Sequence, residues 1–503
     1  MQHQYLFISA GIAIFSFILQ TWPRFFNKSF GVDVWTRLLE VSHVRQNNHR
    51  VPGAALSDQF MVSGYFDYPP VFPILLSYIP KKLLDRVKGF IAPFFDVLQG
   101  MFLFYISYFL TQDIWFAIVA QTTYILTPVI AAENSQLTPR SLGYFNFSLA
   151  TVPLLMYFYQ PDPWLFWAGA LMTGMLFLTH RFALQAFVFL TIFFTFFLNT
   201  AIFVQALLIG FVAALIVTRG YYLRVARGHM ANIYFWIVNL DARYAHQVRG
   251  VIKKDVQMDL INRLYKIVEV FSPIAIFGMN PWAFSGVMYL VFVATNILPL
   301  HPFLTVITAW ILFFYVLGVV ILKTRRLMPI GEGYRYMEMA TVPSAFLSTS
   351  LLFFLISTPY KNLSIGLYCA LLIVCLGIIL FFQIKSVIGD RNRSVTDDMS
   401  RVFSYINKHH TSKNPMKILC IPHQNTTMTI YHTKAQVFVN ADNLGLMKVT
   451  DVYPQLKLTL AELKKKYGLT HVLIKTGFVT LTELKLTQKQ VAYESGDVVL
   501  AAL

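Results

Sequence analysis

Charge is what this chain has least of. Only 13% of its 503 residues are Asp, Glu, Lys or Arg, while 56% are hydrophobic. A soluble domain carries about a quarter charged residues, so the composition excludes a soluble enzyme and requires an integral membrane protein. Acidic residues are the scarcer sign, 24 against 41 basic, for a net charge of +17. In a soluble protein that excess would suggest nucleic acid. Here the basic residues cluster in short loops between apolar runs, as in the positive-inside bias and in contact with anionic headgroups, so membrane lipids are the expected partner and nucleic acid is not. Cysteine is nearly absent. Cys369, Cys375 and Cys420 have no metal-ligand spacing, and the first two lie inside an apolar run as small buried hydrophobes. No signal-peptide pattern precedes a small-residue cleavage site, so Tyr5 to Trp22 is expected to stay as a first helix. The sequence also lacks a Walker A loop, HExxH and GxSxG, and with them the signatures of those chemistries.

What is present is a succession of apolar runs, near 5–22, 69–80, 90–110, 114–132, 143–159, 164–179, 182–199, 201–218, 267–298, 303–322, 340–357 and 363–384. The 69–80 run is short for a span, and 267–298 can break at Asn280-Pro281. The expectation is a mainly α, polytopic helical membrane protein of about 11–13 spans, followed by a small C-terminal α/β domain: residues 1–390 in the membrane and 391–503 soluble. Between Arg219 and Lys266 basic residues alternate with aromatics, which suits either an interfacial helix or a plain loop. In the tail, Thr396-Asp397 caps a helix with Met399, Val402, Phe403 and Ile406 on one face. Strands are expected at Lys417–Ile421 and Thr470–Lys475, a helix near Leu458–Lys466, and a hairpin over Ser495-Gly496. With no glycine-rich phosphate loop, the tail reads as an accessory domain.

Polar islands interrupt the apolar runs. The first loop, residues 30–70, carries Asp33, Glu40, Asp58 and Asp67. Asp33 starts an amphipathic pattern of Val34, Leu38, Val41 and Val44; it is either only an N-cap or a functional carboxylate at or near a helix N-terminus, where the dipole favours it. Arg37, one turn on, either holds an anion or pairs with Asp33. Asp67-Tyr68-Pro69-Pro70 fixes an extended approach to the next run, with Asp67 and Tyr68 candidates to touch a substrate or merely to mark a helix start. Glu133 to Arg140, ENSQLTPR, offers a second acid and an arginine whose planar fork can grip phosphate, or is a short headgroup-binding loop. His180-Arg181 sits between Phe/Leu runs as a tight turn or a cavity lining. In Gly331–Tyr336, GEGYRY, Arg335 and the flanking tyrosines suit a phosphate or a sugar, or an interfacial anchor.

Together GVDVWTRLLE, DYPP, ENSQLTPRSLG, LTHR and GEGYRY resemble the GT-C superfamily of polytopic glycosyltransferases, the group of protein O-mannosyltransferases, lipid A aminoarabinose transferases and oligosaccharyltransferase catalytic subunits. The first loop departs from the O-mannosyltransferases in having a single Asp33 in place of an acidic pair, and the tail has no WWD-type motif. The resemblance implies inverting transfer of a sugar from a polyprenyl-phosphate-linked donor to the hydroxyl of a glycan, lipid or protein acceptor at the outer face of a plasma or ER membrane. It implies Asp33 as general base and Arg140, Arg335 and Arg181 as phosphate-binding residues, with Asp67, Tyr68, Glu133, His180 and Tyr336 near the substrate. No cofactor is certain; a divalent metal between Asp33 and Glu133 is possible chemistry. The rival expectation is a transporter or lipid-glycan flippase, although no internal repeat is detectable.

Overall fold

The computed structural model describes residues 2–26, 33–52, 59–62, 66–131, 136–243, 245–250, 277–389, 395–438 and 443–503. Asp58, Glu133 and the basic stretch 251–276 lie outside the described residues. The chain divides into two compact units that interleave in sequence. One comprises 1–27, 89–218 and 256–389; the other comprises 28–88, 219–255 and 390–503.

The first unit is helical. Its principal helices are Gln2–Thr21, Ile91–Thr111, Ile114–Ile125, Arg140–Tyr159, Pro163–Thr179, Arg181–Phe197, Ile202–Val217, Phe284–Ala294, Pro302–Lys323, Thr341–Ile356 and Lys361–Gly389. Apart from 69–80, every apolar run of the sequence has a helix here. The 267–298 run does break where expected: a short 3-10 turn, Pro281–Ala283, precedes the helix that starts at Phe284. By length and composition, Lys81–Thr111, Pro302–Lys323 and Lys361–Lys385 are each able to cross a membrane.

Turn residues set the helical hairpins. Asp113 accepts from the Trp115 and Phe116 amides, and Asp162 accepts from Trp164 with Pro163 at the first helical position. His301 does the same for Leu304 ahead of the Pro302 helix. A side-chain oxygen or ring nitrogen thus satisfies an amide that the helix cannot, and proline occupies a position where its missing N–H costs nothing. Trp310, Phe147, Phe187, Phe194 and Phe314 form the centre of the core, with Phe194 and Trp310 edge-on at 6.2 Å. The helices Pro163–Thr179 and Ile202–Val217 meet backbone to backbone, since a Cβ at Gly210 would lie 2.8 Å from the Gly174 nitrogen. Small residues permit this approach between apolar helices.

The second unit joins three separated segments. The tail supplies a five-stranded sheet: β1 Lys417–Ile421, β2 Gln436–Val437, β3 His471–Lys475, β4 Val491–Ser495 and β5 Val498–Ala502, in the order β2-β1-β3-β5-β4. β1 runs parallel to β2 and β3; β5 is antiparallel to both β3 and β4. The Asp397–His409 helix buries Met399, Val402, Phe403 and Ile406, and Thr396 caps it by accepting from the Met399 amide. The first loop extends the sheet edge: the Met61 amide donates to the Val437 carbonyl at 2.9 Å, and the Val437 amide donates to Gln59 at 2.7 Å. The middle segment is tied in by Gln247, whose carbonyl accepts from the Leu456 amide at 2.7 Å and whose side chain accepts from the His423 amide at 2.8 Å. The 69–80 run belongs to this unit, where it forms a helix of only 7 residues, Val71–Ser77. The reason is length: a span needs about 20 residues, and Pro80 ends this run early.

Candidate active site

Asp33 is the first residue of the Asp33–Gln46 helix and is exposed to solvent, while Val34, Leu38, Val41 and Val44 are buried beneath it. Arg37 does not turn back to Asp33. It donates to both Glu40 oxygens, at 2.7 and 2.6 Å, and its guanidinium lies 3.8 Å above the Tyr68 ring. Burial pushes the Glu40 carboxyl above its ordinary value, with the Arg37 charge acting the other way. This pair leaves the Asp33 carboxylate open at the helix start.

Asp67 is 4% exposed and built into the framework. It accepts from the Asn443 side-chain amide at 2.9 Å and from the Leu444 backbone amide at 2.8 Å. The Tyr222–Val238 helix presses on it at Gly228, where a Cβ would come within 2.7 Å of the carboxylate. The Tyr221 hydroxyl is within hydrogen-bonding distance of the Phe66 and Tyr68 carbonyls, at 3.0 and 3.1 Å. Asp67 and Tyr68, considered for substrate contact from sequence, therefore hold the three segments of this unit together, and the Tyr68 ring faces Arg37.

In the helical unit, a second polar cluster forms where helix ends meet. Arg140, at the start of the Arg140–Tyr159 helix, donates through Nε to the Glu338 carboxylate at 3.0 Å and to the Tyr144 hydroxyl at 3.0 Å. Its Nη2 also pairs with Glu338, and Tyr144 donates to the same carboxylate. Arg335 donates to Glu332 at 2.8 Å. His180 caps the Arg181–Phe197 helix by accepting from the Ala183 amide, and its ring fits against Gly143. Arg181 is the first residue of that helix and is half-buried. Tyr336 is in the core: its ring is fully buried 4.5 Å from Phe182, and its hydroxyl donates to the Ile330 carbonyl at 2.8 Å. A ring so enclosed cannot stack on a sugar, so the aromatic face considered for that role is spent on packing.

Sequence reasoning overlooked Glu338 and Asp96. Asp96 is fully buried in the Ile91–Thr111 helix and accepts from Ser141 at 3.1 Å. The signal was there, because a lone carboxylate inside an apolar run is expensive and needs partners. Among the described residues no group of three or more His, Cys, Asp or Glu gathers as metal donors. One described carboxylate, Asp33, is not by itself a metal site.

No family model matches the sequence, and no curated protein matches it. Solved structures do. The archaeal oligosaccharyltransferase AglB from Archaeoglobus fulgidus, in complex with an inhibitory peptide and a dolichol-phosphate, superposes with a TM-score of 0.58 at 10% identity, covering 94% of this chain and 69% of that one. The apo form of the A. fulgidus oligosaccharyltransferase gives 0.62 at 11% identity over 97% and 72%. Another A. fulgidus structure is a complex with Zn and sulfate. ArnT from Cupriavidus metallidurans, bound to undecaprenyl phosphate, gives 0.55 at 12% identity over 99% of this chain and 97% of that one. At such identities the likeness speaks for architecture, and on that ground the chain has the fold of the polytopic GT-C membrane glycosyltransferases.

Proposed function

We propose that this protein is an inverting membrane glycosyltransferase that moves a sugar from a polyprenyl-phosphate-linked donor to an acceptor hydroxyl, with Asp33 as general base. The observation that carries the reading is Arg140: its guanidinium is fixed at a helix end of a fold whose solved examples hold dolichol- and undecaprenyl-phosphate. In the reaction Asp33 takes the acceptor proton as the acceptor oxygen attacks the anomeric carbon from the face opposite the phosphate. The bond from that carbon to the phosphate oxygen breaks, and the phosphate departs with the electron pair. Arg140 and Arg335, with Arg181 as a third cation, balance the charge that develops on it. Asp33 and Glu133 would be the carboxylates to hold a divalent metal, which would supply Lewis acidity.

We also propose a sidedness from the interleaving. Residues 28–88, 219–255 and 390–503 fold as one body, so they share one side of the membrane and an even number of crossings must separate each from the next. Among the described residues, six principal helices between 89 and 218 and four between 277 and 389 are even numbers. With Gln2–Thr21 these are the eleven principal described helices, three of which contribute to stretches long and apolar enough to cross by themselves. The basic stretches Lys81–Lys88 and Arg219–Arg249 then lie on the same side as Asp33, against the positive-inside expectation, because they belong to the same folded unit. Reconstituted protein supplied with undecaprenyl-phosphate sugars tests the chemistry. Asp33→Asn should lower turnover about 100-fold or more with donor affinity unchanged; full turnover by a normally folded variant would remove Asp33 as the base.

A further inference from the structure

The two candidate phosphate-binding arginines are held in the same way. Arg140 Nε donates to Glu338 and to the Tyr144 hydroxyl, and that hydroxyl donates to Glu338. Arg335 Nε donates to Glu332 at 2.8 Å and to the Tyr334 hydroxyl at 3.4 Å, and that hydroxyl donates to Glu332 at 2.6 Å. Each is a triangle of arginine, glutamate and tyrosine closed on the Nε edge of the guanidinium. Among the described residues, Arg140 Nη1 and both Nη groups of Arg335 have no hydrogen-bond partner. The two triangles are neighbours: the guanidiniums repel each other, and each also feels the other's tyrosine. The Glu338 side chain is fully buried and that of Arg140 is 14% exposed, whereas the Arg335 side chain is 37% exposed.

A guanidinium has two edges able to form paired hydrogen bonds. Occupying the Nε edge stops rotation of the fork and leaves the Nη edge for a second anion. Two neighbouring cations would ordinarily repel each other and splay apart. Here each carries its own carboxylate, which lowers that repulsion before an anion arrives. We propose that Glu338 and Glu332 are positioning residues that aim Arg140 and Arg335 as a two-pronged clamp on one phosphate group of a polyprenyl carrier. This deepens the glycosyltransferase reading, which assigns phosphate to the arginines but gives the carboxylates no part. The carboxylates never touch the phosphate; they act through the geometry of the forks.

The test uses the full chain in detergent micelles, with undecaprenyl phosphate as probe and undecaprenol as its neutral control, read by lipid-dependent thermal shifts. Glu332→Ala is the main variant, since the Glu332 and Arg335 side chains are both partly exposed. Glu338→Gln keeps the shape and one acceptor. Both should weaken undecaprenyl phosphate about 10-fold and leave undecaprenol unchanged, with the lipid-free melting temperature of Glu332→Ala preserved. Phosphate binding as tight as or tighter than wild type in both variants, while Arg140→Ala and Arg335→Ala lose it, would overturn the positioning role and leave the phosphate reading intact. Equal loss of both lipids would overturn it too, showing a framework role only. Retained phosphate binding in the arginine variants would bring down the reading on which the inference rests.

Discussion

Asp67 offers the sharpest test of how three distant segments become one body. It accepts two hydrogen bonds from the tail, from the Asn443 side chain at 2.9 Å and the Leu444 amide at 2.8 Å, in a position that is 4% exposed. Bonds to a charged acceptor contribute about 1.5–3 kcal/mol each, so Asp67→Ala forfeits about 3–6 kcal/mol. Removing the carboxylate also relieves its own burial cost, which offsets part of that loss. The net expectation is about 2–4 kcal/mol of destabilisation, localised where the first loop meets Asn443–Leu446. Hydrogen exchange in detergent reads this directly. At 1.4 kcal/mol per factor of ten, protection of the Leu444 amide should fall about 30-fold or more, while amides of β3 and β5 hold their protection better. Asn443→Ala should reproduce part of the effect, and the double variant should be less than additive, because the two share one interaction. Asn232 donates to Asn443 at 3.0 Å, so it forms the natural second cycle. Unchanged Leu444 protection in Asp67→Ala, or strict additivity with Asn443→Ala, would refute the clamp.

Two further expectations concern stability. Burial pushes the His423 imidazole, 4.2 Å from the Tyr453 ring, down to about 4. The unfolded chain, with an ordinary value of about 6.5, binds the proton that the folded one refuses, so stability is full above about pH 6.5 and falls as pH drops through that window, by up to about 3 kcal/mol. Urea titrations from pH 7 to 4 should show this slope in the wild type and lose much of it in His423→Gln. At the helix contact, Gly210→Ala forces a Cβ to within 2.8 Å of the Gly174 backbone nitrogen and should cost about 1–3 kcal/mol. Gly286→Ala meets only ordinary contacts at 3.6 Å or more and should be near neutral, so thermal unfolding of the pair in one detergent checks the packing.

The sequence by itself determined where helices form and where the tail turns to strands. A long apolar run has to bond its own backbone when it leaves water, and that is a local property. Hence the runs at 90–110, 143–159 and 303–322 became helices within a few residues of their expected bounds, and Lys417–Ile421 became β1 as read. Asp33, at the start of an amphipathic stretch, was legible as a carboxylate at a helix start, whereas its exposure was not. Only tertiary structure decided the partners. Arg140 and Glu338 are 198 residues apart, and Asp67 and Asn443 are 376 apart. Nothing periodic links such positions. What pairs them is the cost of a buried charge without an opposite, which is settled when helices and loops pack and not before. That same packing drew the short 69–80 run out of the succession of spans and joined it to the tail's unit.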